Sequence, residues 1–297
     1  MTLAASASDE RPRDVSVVLL TYNWPQALSR VLDSIAWQRR LPEEVIVADD
    51  GSSESTSALL RARAAHFPCA LRHVWQEDLG FRAARCRNRG IAVARSAYIV
   101  LIDGDMVLHP DFIADHLALA RRGALMQGGR IKWTQAESER VMAGKAPVFA
   151  PFAQADYRAF DAMPRHYAFR APWLARHKAR RPGGRVMSCN MGLWREDLLA
   201  CNGFDERMEG YGAEDRELVA RLGNAGIAKH PLKWAALAGH LEHRSRAQVD
   251  VDDATLPNNA LFLQTVRAGL TRCEAGIDAH TGIQAPDLRL ESVSNNP

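Results

Sequence analysis

The sequence predicts an α/β fold built on an open sheet flanked by helices. Three observations carry that expectation. Short β-branched runs end in polar residues, a stretch with apolar residues at helical spacing separates the first two of them, and acids stand at the carboxyl ends of later runs. Open sheets of this kind bind ligands at the carboxyl ends of their strands, so those acids mark the rim to examine. With 297 residues and 47% hydrophobic content the chain can bury a core of ordinary size, as one large or two small domains.

A polar leader, residues 1–13, is expected to be flexible. The run VSVVLLTYN (15–23) reads as the first strand, and WPQALSRVLDSIAWQ places Leu28, Val31, Leu32 and Ile35 at helical spacing. EEVIVADDGSS is a second buried-type strand, closing on Asp49 and Asp50. A helix around 54–66 and a strand ALRHVWQ follow. DLGFRAARCRNRGIAVARS then reads as a helix carrying Arg82, Arg85, Asn88 and Arg89, and AYIVLID is a strand running directly into Asp103-Gly104-Asp105. From 134 to 185 the pattern breaks. Here Tyr167, Phe169 and Trp173 interleave with Arg165, Arg170, Arg176, Arg180 and Arg181, which suits an acceptor loop, a lid or a membrane-contacting face. Regularity returns at VMSCNMGLWREDLLACNGFDE, then a glycine-rich loop, a helix over 214–222, and HPLKWAALAGHLEHRSRA. Residues 272–297 are expected to be a poorly ordered tail.

Composition excludes several classes. Lys+Arg exceeds Asp+Glu by 38 to 35, too near balance for a dedicated nucleic-acid binder, which needs a dense basic face. Cys69, Cys86, Cys189, Cys201 and Cys273 are odd in number and scattered, a pattern of reduced thiols and not of a disulfide framework or zinc site. The first residues lack the apolar core of a signal peptide, and no apolar run approaches the roughly 18–20 residues that span a bilayer. The expectation is a cytoplasmic protein, at most peripheral on the inner face of the membrane.

The acids carry the chemistry. Residues two apart in an extended segment face the same side, so Asp103 and Asp105 can address one hard cation, with Gly104 allowing close backbone approach. Asp49-Asp50-Gly51-Ser52 is by itself a turn signal. As a site, it offers a carboxylate to the imide of a uracil or to a ribose, beside Tyr22 and Asn23 at the same rim. His240 and His243, three apart on a helix or turn, can complete a carboxylate site for a divalent transition ion such as manganese. Glu214 and Asp215 are adjacent carboxylates directly after Gly210-Tyr211-Gly212. A helix start tolerates them, because its unpaired N–H groups and dipole favour negative charge.

Taken in order, VSVVLLTYNWPQALSRVLDSIAWQ…EEVIVADDGSS, the DGD after a strand, and NGFDERMEGYGAEDREL resemble the family 2 glycosyltransferases of the GT-A fold. The last motif is similar to the galactosyltransferase-type segment of β-1,4-galactosyltransferases, polypeptide N-acetylgalactosaminyltransferases and bacterial chondroitin-type polymerases. The resemblance covers 15–105 and 186–245. It implies a single, mostly parallel sheet, with 14–271 as one GT-A domain: a nucleotide-binding half (14–110), the 134–185 insert, and a catalytic half (186–271).

The resemblance also implies roles. Thr21, Tyr22, Asn23, Asp50, Arg82, Arg85, Asn88, Asp103, Gly104 and Asp105 would bind the donor, with Tyr22 and Asp50 on the base and Asp103 and Asp105 on the ribose and metal-bound pyrophosphate. Asp103 and Asp105 would hold Mn²⁺ or Mg²⁺, and the spacing of His240 and His243 adds at least one of the two histidines to that set. Asn190, Tyr211, Gly212 and Glu214 would meet the acceptor, a glycan or lipid-linked glycan, and Asp215 would be the catalytic base, with Glu214 beside it. Together these imply a metal-dependent inverting transfer of a sugar from a UDP-hexose or UDP-N-acetylhexosamine donor. Tyr211 and Ala213 stand where relatives often carry tryptophan and glycine, which bears on specificity. A nucleotidyltransferase would need a glycine-rich basic loop after the first strand, and LLTYNWPQA has neither glycine nor lysine. A non-catalytic sugar-binding module is the other alternative, separable by turnover.

Overall fold

The computed structural model describes residues 10–144, 170–178, 186–243, 256–281 and 288–291. Its centre is strand β1 (Val15–Thr21), which pairs in parallel with β2 (Glu44–Asp49) on one side and β4 (Tyr98–Asp103) on the other. The apolar runs of all three are buried, as strands covered on both faces require. Register aligns their ends: Thr21 stands opposite Asp49, and Leu20 opposite Asp103. The acids of β2 and β4 therefore reach the same edge.

β3 (Ala70–Trp75) extends the sheet in parallel beyond β2, and β11 (Leu288–Glu291) adds an antiparallel edge to β3. On the other side come β8 (Asn190–Trp194), antiparallel to β4, then β6 (Ala124–Gln127) and β9 (Ala228–Pro231), giving the order β11-β3-β2-β1-β4-β8-β6-β9. The sheet is mostly parallel at its centre, as expected. It is not single. β5 (Met106–Leu108), β7 (Ile131–Lys132) and β10 (Ala238–His240) form a separate three-stranded sheet, because the turn at Gly104–Asp105 takes the chain off the end of β4.

Helices cover both faces. α1 (Pro25–Ala36) turns Leu28, Val31, Leu32 and Ile35 into the core that also takes Val17, Val45 and Val100. Burial of each such side chain contributes about 1.5–3 kcal/mol. α2 (Glu54–Ala64) lies on the same side, with Leu60 in that core. α3 (Ala83–Val93) covers the opposite face, where a Cβ on Gly90 would stand 2.7 Å from Val18 Cγ1, so a larger residue there would push helix and sheet apart. Arg82, expected within this helix, precedes it as its cap residue. α4 (Phe112–Leu119) follows β5.

Within the 134–185 insert, α5 (Gln135–Met142) begins with a Thr134/Glu137 capping box, and α6 (Pro172–Lys178) carries an exposed Trp173 and Arg176. Arg165, Tyr167, Phe169, Arg180 and Arg181 lie outside the described residues. Arg170 is held by Asp115 at 2.7 Å. α7 (Arg195–Ala200), α8 (Glu214–Asn224) and α9 (Pro257–Ala268) are the described helices of the part that follows the insert.

The expected loose tail differs from what is seen. Ile277 is fully buried, its N–H donates to Asn202 O at 3.0 Å, and 288–291 is the sheet edge. Short elements without a long apolar run left little trace in the sequence. In the leader, Arg11 donates to the Ala120 carbonyl and Pro12 is buried. Among the described residues no helix is long and apolar enough to cross a membrane.

Candidate active site

The rim at the carboxyl ends of β1 and β2 is built by short polar ties. Asp49 is fully buried and accepts from Ser52 N at 2.7 Å, with His73 Nε2 at 2.9 Å, so it shapes the loop. Asp50 is also buried. Desolvation pushes its carboxyl upward, and hydrogen bonds from Arg82 N (3.0 Å) and Gln76 Nε2 (2.5 Å) oppose this. Asn23, left-handed at φ 46°, accepts from Ser53 N and donates its own N–H to Ser52 Oγ. The hydroxyl of Tyr22 donates to Asp78 at 2.8 Å. Thr21 is buried against Gly104, where a Cβ would meet Leu20 O at 3.0 Å and Thr21 Oγ1 at 3.1 Å. Arg82 bonds the Glu77 carbonyl through its guanidinium, and Arg85 is half-buried on α3.

The β5–β10 pairing sets His240 opposite Met106, directly after Asp105, and Leu241 N donates to Asp105 O at 3.0 Å. The histidines thus stand at the end of a strand and just beyond it, not on a helix. His243 Nε2 lies 3.1 Å and His240 Nε2 3.4 Å from Asp105 Oδ2, and the ligand atoms of the three residues fall within 4.8 Å of one another. Asp103, also expected among the metal ligands, is not in this group.

The donor set fits a divalent ion. Burial pushes His240 down to about 4, keeping the imidazole neutral and its lone pair available at neutral pH. Burial works against the charge on Asp105, yet the His243 hydrogen bond and the histidine charges hold it below the usual carboxylate range. Asp105 Oδ1 and His240 Nδ1 are buried with no hydrogen-bond partner, and an ion ligated there would neutralise the first.

The second pair of acids arrives on α8. The loop before it runs through left-handed Gly210 (φ 77°) and Gly212 (φ 104°) to Ala213 at φ 68°, and Asn258 braces it by donating to the carbonyls of Glu209 and Gly212. A buried Arg221–Glu217 pair at 2.6 Å fixes the helix itself. Burial, then the neighbouring Glu214, raise Asp215 to about 6, while Arg87 and the Arg216 N–H act against this. Tyr211 is exposed, its ring centroid 6.3 Å from that of Phe81.

One residue joins the two sets of acids. Arg87 donates from Nη2 to Asp103 Oδ1 at 3.0 Å and from Nη1 to Glu214 Oε1 at 3.4 Å. It is not among the donor-binding residues expected in this stretch, which are its neighbours Arg82, Arg85 and Asn88. A signal was present: Ala83, Arg87 and Ile91 are four apart, so a basic residue interrupts the buried stripe of α3.

Two residues expected to touch ligands turn inward instead. Asn88 bonds the Phe204 backbone and Glu206, and Asn190 accepts from His116 while donating to the carbonyls of Gly129 and Ala236. Each is fully buried, because a polar side chain on a core-facing position must find partners inside.

A family model described as "Glycosyl transferase family 2" matches residues 16–180, more than half of the chain. The chain belongs to glycosyl transferase family 2. A second model, "N-terminal domain of galactosyltransferase", matches residues 173–244, which include α8 and both histidines. Validoxylamine A glucosyltransferase of Streptomyces hygroscopicus subsp. limoneus is 29% identical over 235 residues, 72% of this chain and 48% of that protein. Hyaluronan synthase of Pasteurella multocida is 36% identical over 105 residues, 35% of this chain and 11% of that protein. The chain thus spans about half the length of the validoxylamine A glucosyltransferases it matches.

Among solved structures, S. aureus TarS 1–349 in complex with UDP superposes with TM-score 0.58 at 13% identity, covering 90% of this chain and 68% of that one. A mannosyltransferase of Pyrobaculum calidifontis in complex with GDP-Man and Mn²⁺ gives 0.55 at 19%, covering 80% and 59%. These likenesses establish the GT-A fold for this family 2 member.

Proposed function

We propose that this family 2 protein is a metal-dependent inverting glycosyltransferase that moves a hexose or N-acetylhexosamine from a UDP-sugar to a hydroxyl of a glycan or lipid-linked glycan. The observation that carries the reading is the convergence of Asp103 and Glu214 on Arg87. It brings an acid at the end of β4 and an acid at the start of α8 onto one guanidinium. Relatives captured with UDP, with UDP-GlcNAc and with GDP-Man and Mn²⁺ support a nucleotide-sugar donor.

In this reading Asp105, His240 and His243 hold Mn²⁺ or Mg²⁺, which when bound neutralises charge on the departing diphosphate. Asp103 takes the ribose, and Tyr22 and Asp50 the base. Asp215 accepts the proton of the attacking hydroxyl at Oδ1 or Oδ2, and its pKa of about 6 suits a base that is ionised at neutral pH yet still basic. Glu214 orients a substrate hydroxyl, and Tyr211 and Gly212 border the acceptor.

The test is a donor screen. UDP-, GDP- and dTDP-sugars are incubated with the protein with and without Mn²⁺, and release of the nucleoside diphosphate is followed. Turnover confined to one nucleotide class and dependent on Mn²⁺ is expected, whereas binding without turnover would identify a sugar-binding module. Peripheral membrane contact through the insert rests on the exposed Trp173 and Arg176 and is tested by liposome flotation at low salt.

A further inference from the structure

Arg87 is an unusual investment for a protein interior. It is 4% exposed, its ring neighbour is Phe204 at 5.4 Å, and its Nε is buried without a hydrogen-bond partner. Burial of a guanidinium is costly unless carboxylates compensate it, and here Asp103 and Glu214 hold its pKa up despite the desolvation. Those two carboxylates come from different halves of the fold, one at the end of β4 and one at the first residue of α8. Asp215 adds its field to the same cation, and the charge of Arg130 acts on Asp103 and Asp105. One cation is therefore divided between an acid of the donor rim and an acid of the acceptor side.

The two bonds are unequal. The contact to Asp103 is 3.0 Å and the contact to Glu214 is 3.4 Å, so the second is the weaker and the first to yield. A diphosphate arriving beside Asp103 brings negative charge that competes for the guanidinium. Its gain is Glu214's loss: the carboxylate is released from Arg87 and its oxygens become available to a substrate hydroxyl.

We propose that Arg87 is a positioning residue that couples the two substrate sites, so that donor occupancy frees Glu214 for the acceptor. This rests on the glycosyl-transfer reading above. Coupling is reciprocal, so removing the charge of Glu214 must strengthen nucleotide binding, and must do so only through Arg87.

A double-mutant cycle reads this directly. UDP affinity at saturating Mn²⁺ is measured by calorimetry for the native protein, Glu214→Gln, Arg87→Met and the double variant. Glu214→Gln should tighten UDP about fivefold in the presence of Arg87, at the low end of coupling between sites, and change it less than about twofold in the Arg87→Met background. A role confined to holding the fold would not produce that difference. If Arg87→Met does not fold, the same cycle is run with Arg87→Lys, whose ammonium is a point charge and cannot fork between both carboxylates; the tightening should again fall below about twofold. Equal tightening in both backgrounds, or none with Arg87 in place, overturns the coupling alone. Failure of the native protein to bind UDP, GDP or dTDP removes the glycosyl-transfer reading and the coupling with it.

Discussion

Nε2 of His243 lies 3.1 Å from Oδ2 of Asp105, joining the segment after β10 to the turn after β4. His243 also meets Trp24 edge to face, with centroids 5.7 Å apart, so the loop that follows β1 touches the same histidine. A divalent ion at Asp105 would thus be in contact, through one imidazole, with the loop that follows β1.

Metal binding should therefore be both specific and optically visible. Asp105→Ala, His240→Ala and His243→Ala are each expected to weaken Mn²⁺ binding by at least about tenfold and to abolish most turnover. Mn²⁺ should quench part of the tryptophan fluorescence, and Trp24→Phe should remove that part. Full turnover in excess chelator, or unchanged Mn²⁺ affinity in both histidine variants, would remove the metal assignment.

The raised carboxyl of Asp215 predicts the acid limb of the rate profile. A base must be ionised to accept a proton, so kcat should fall about tenfold per pH unit below pH 6, where Asp215 is protonated. Asp215→Asn should lower kcat by about 10²–10⁴-fold with UDP binding retained, and Glu214→Gln should act more on acceptor KM. Near-normal kcat in Asp215→Asn, or a product of retained anomeric configuration, would reject an inverting mechanism with this base.

The same shift has a stability consequence. A carboxyl raised from 3.8 to about 6 on folding binds more protons in the native state, so stability falls as pH rises from about 4 to about 6 and the cost persists above that window. Asp215→Asn removes the ionisation. It should stabilise the protein by roughly 1–3 kcal/mol at pH 8 and by nothing near pH 4, as read from urea midpoints at the two pH values.

Ala213 caps α8 at φ 68°, a region that costs a residue with a Cβ. Ala213→Gly should raise stability by roughly 0.5–1 kcal/mol, less than the full relief of strain because glycine also gains freedom in the unfolded chain. A fall in the thermal midpoint would show that Ala213 packing outweighs its backbone strain.

Asn190 is a prediction of the opposite kind, since its amide serves the interior. Asn190→Ala would strand His116 Nε2 and the carbonyls of Gly129 and Ala236, at a cost of roughly 2–4 kcal/mol. Turnover per folded molecule should change by less than about threefold, by comparison with the base variant. A large loss of kcat at native stability would return Asn190 to the substrate.

Much of this was legible in the chain because the signals are local. Val15–Thr21, Glu44–Asp49 and Tyr98–Asp103 are continuous apolar runs, and only strands covered on both faces tolerate them, so an open α/β sheet with acids at its rim follows from periodicity and end residues alone. The spacing of Leu28, Val31, Leu32 and Ile35 likewise defines one buried helical face.

Tertiary structure decided what depends on partners distant in sequence. Whether an amide is a ligand or a core tie is settled by what surrounds it, and Asn88 and Asn190 read as donor- and acceptor-binding residues until their partners on other segments are known. Ile277 and Leu288–Glu291 looked like tail because a buried turn and a four-residue edge strand carry too little apolar periodicity to stand out. Arg87 is the sharpest case. Composition makes it one basic residue of a cluster, but the low dielectric around it and the approach of α8 to β4 make it a cation shared by Asp103 and Glu214, and charge sharing is a property of space, not of sequence.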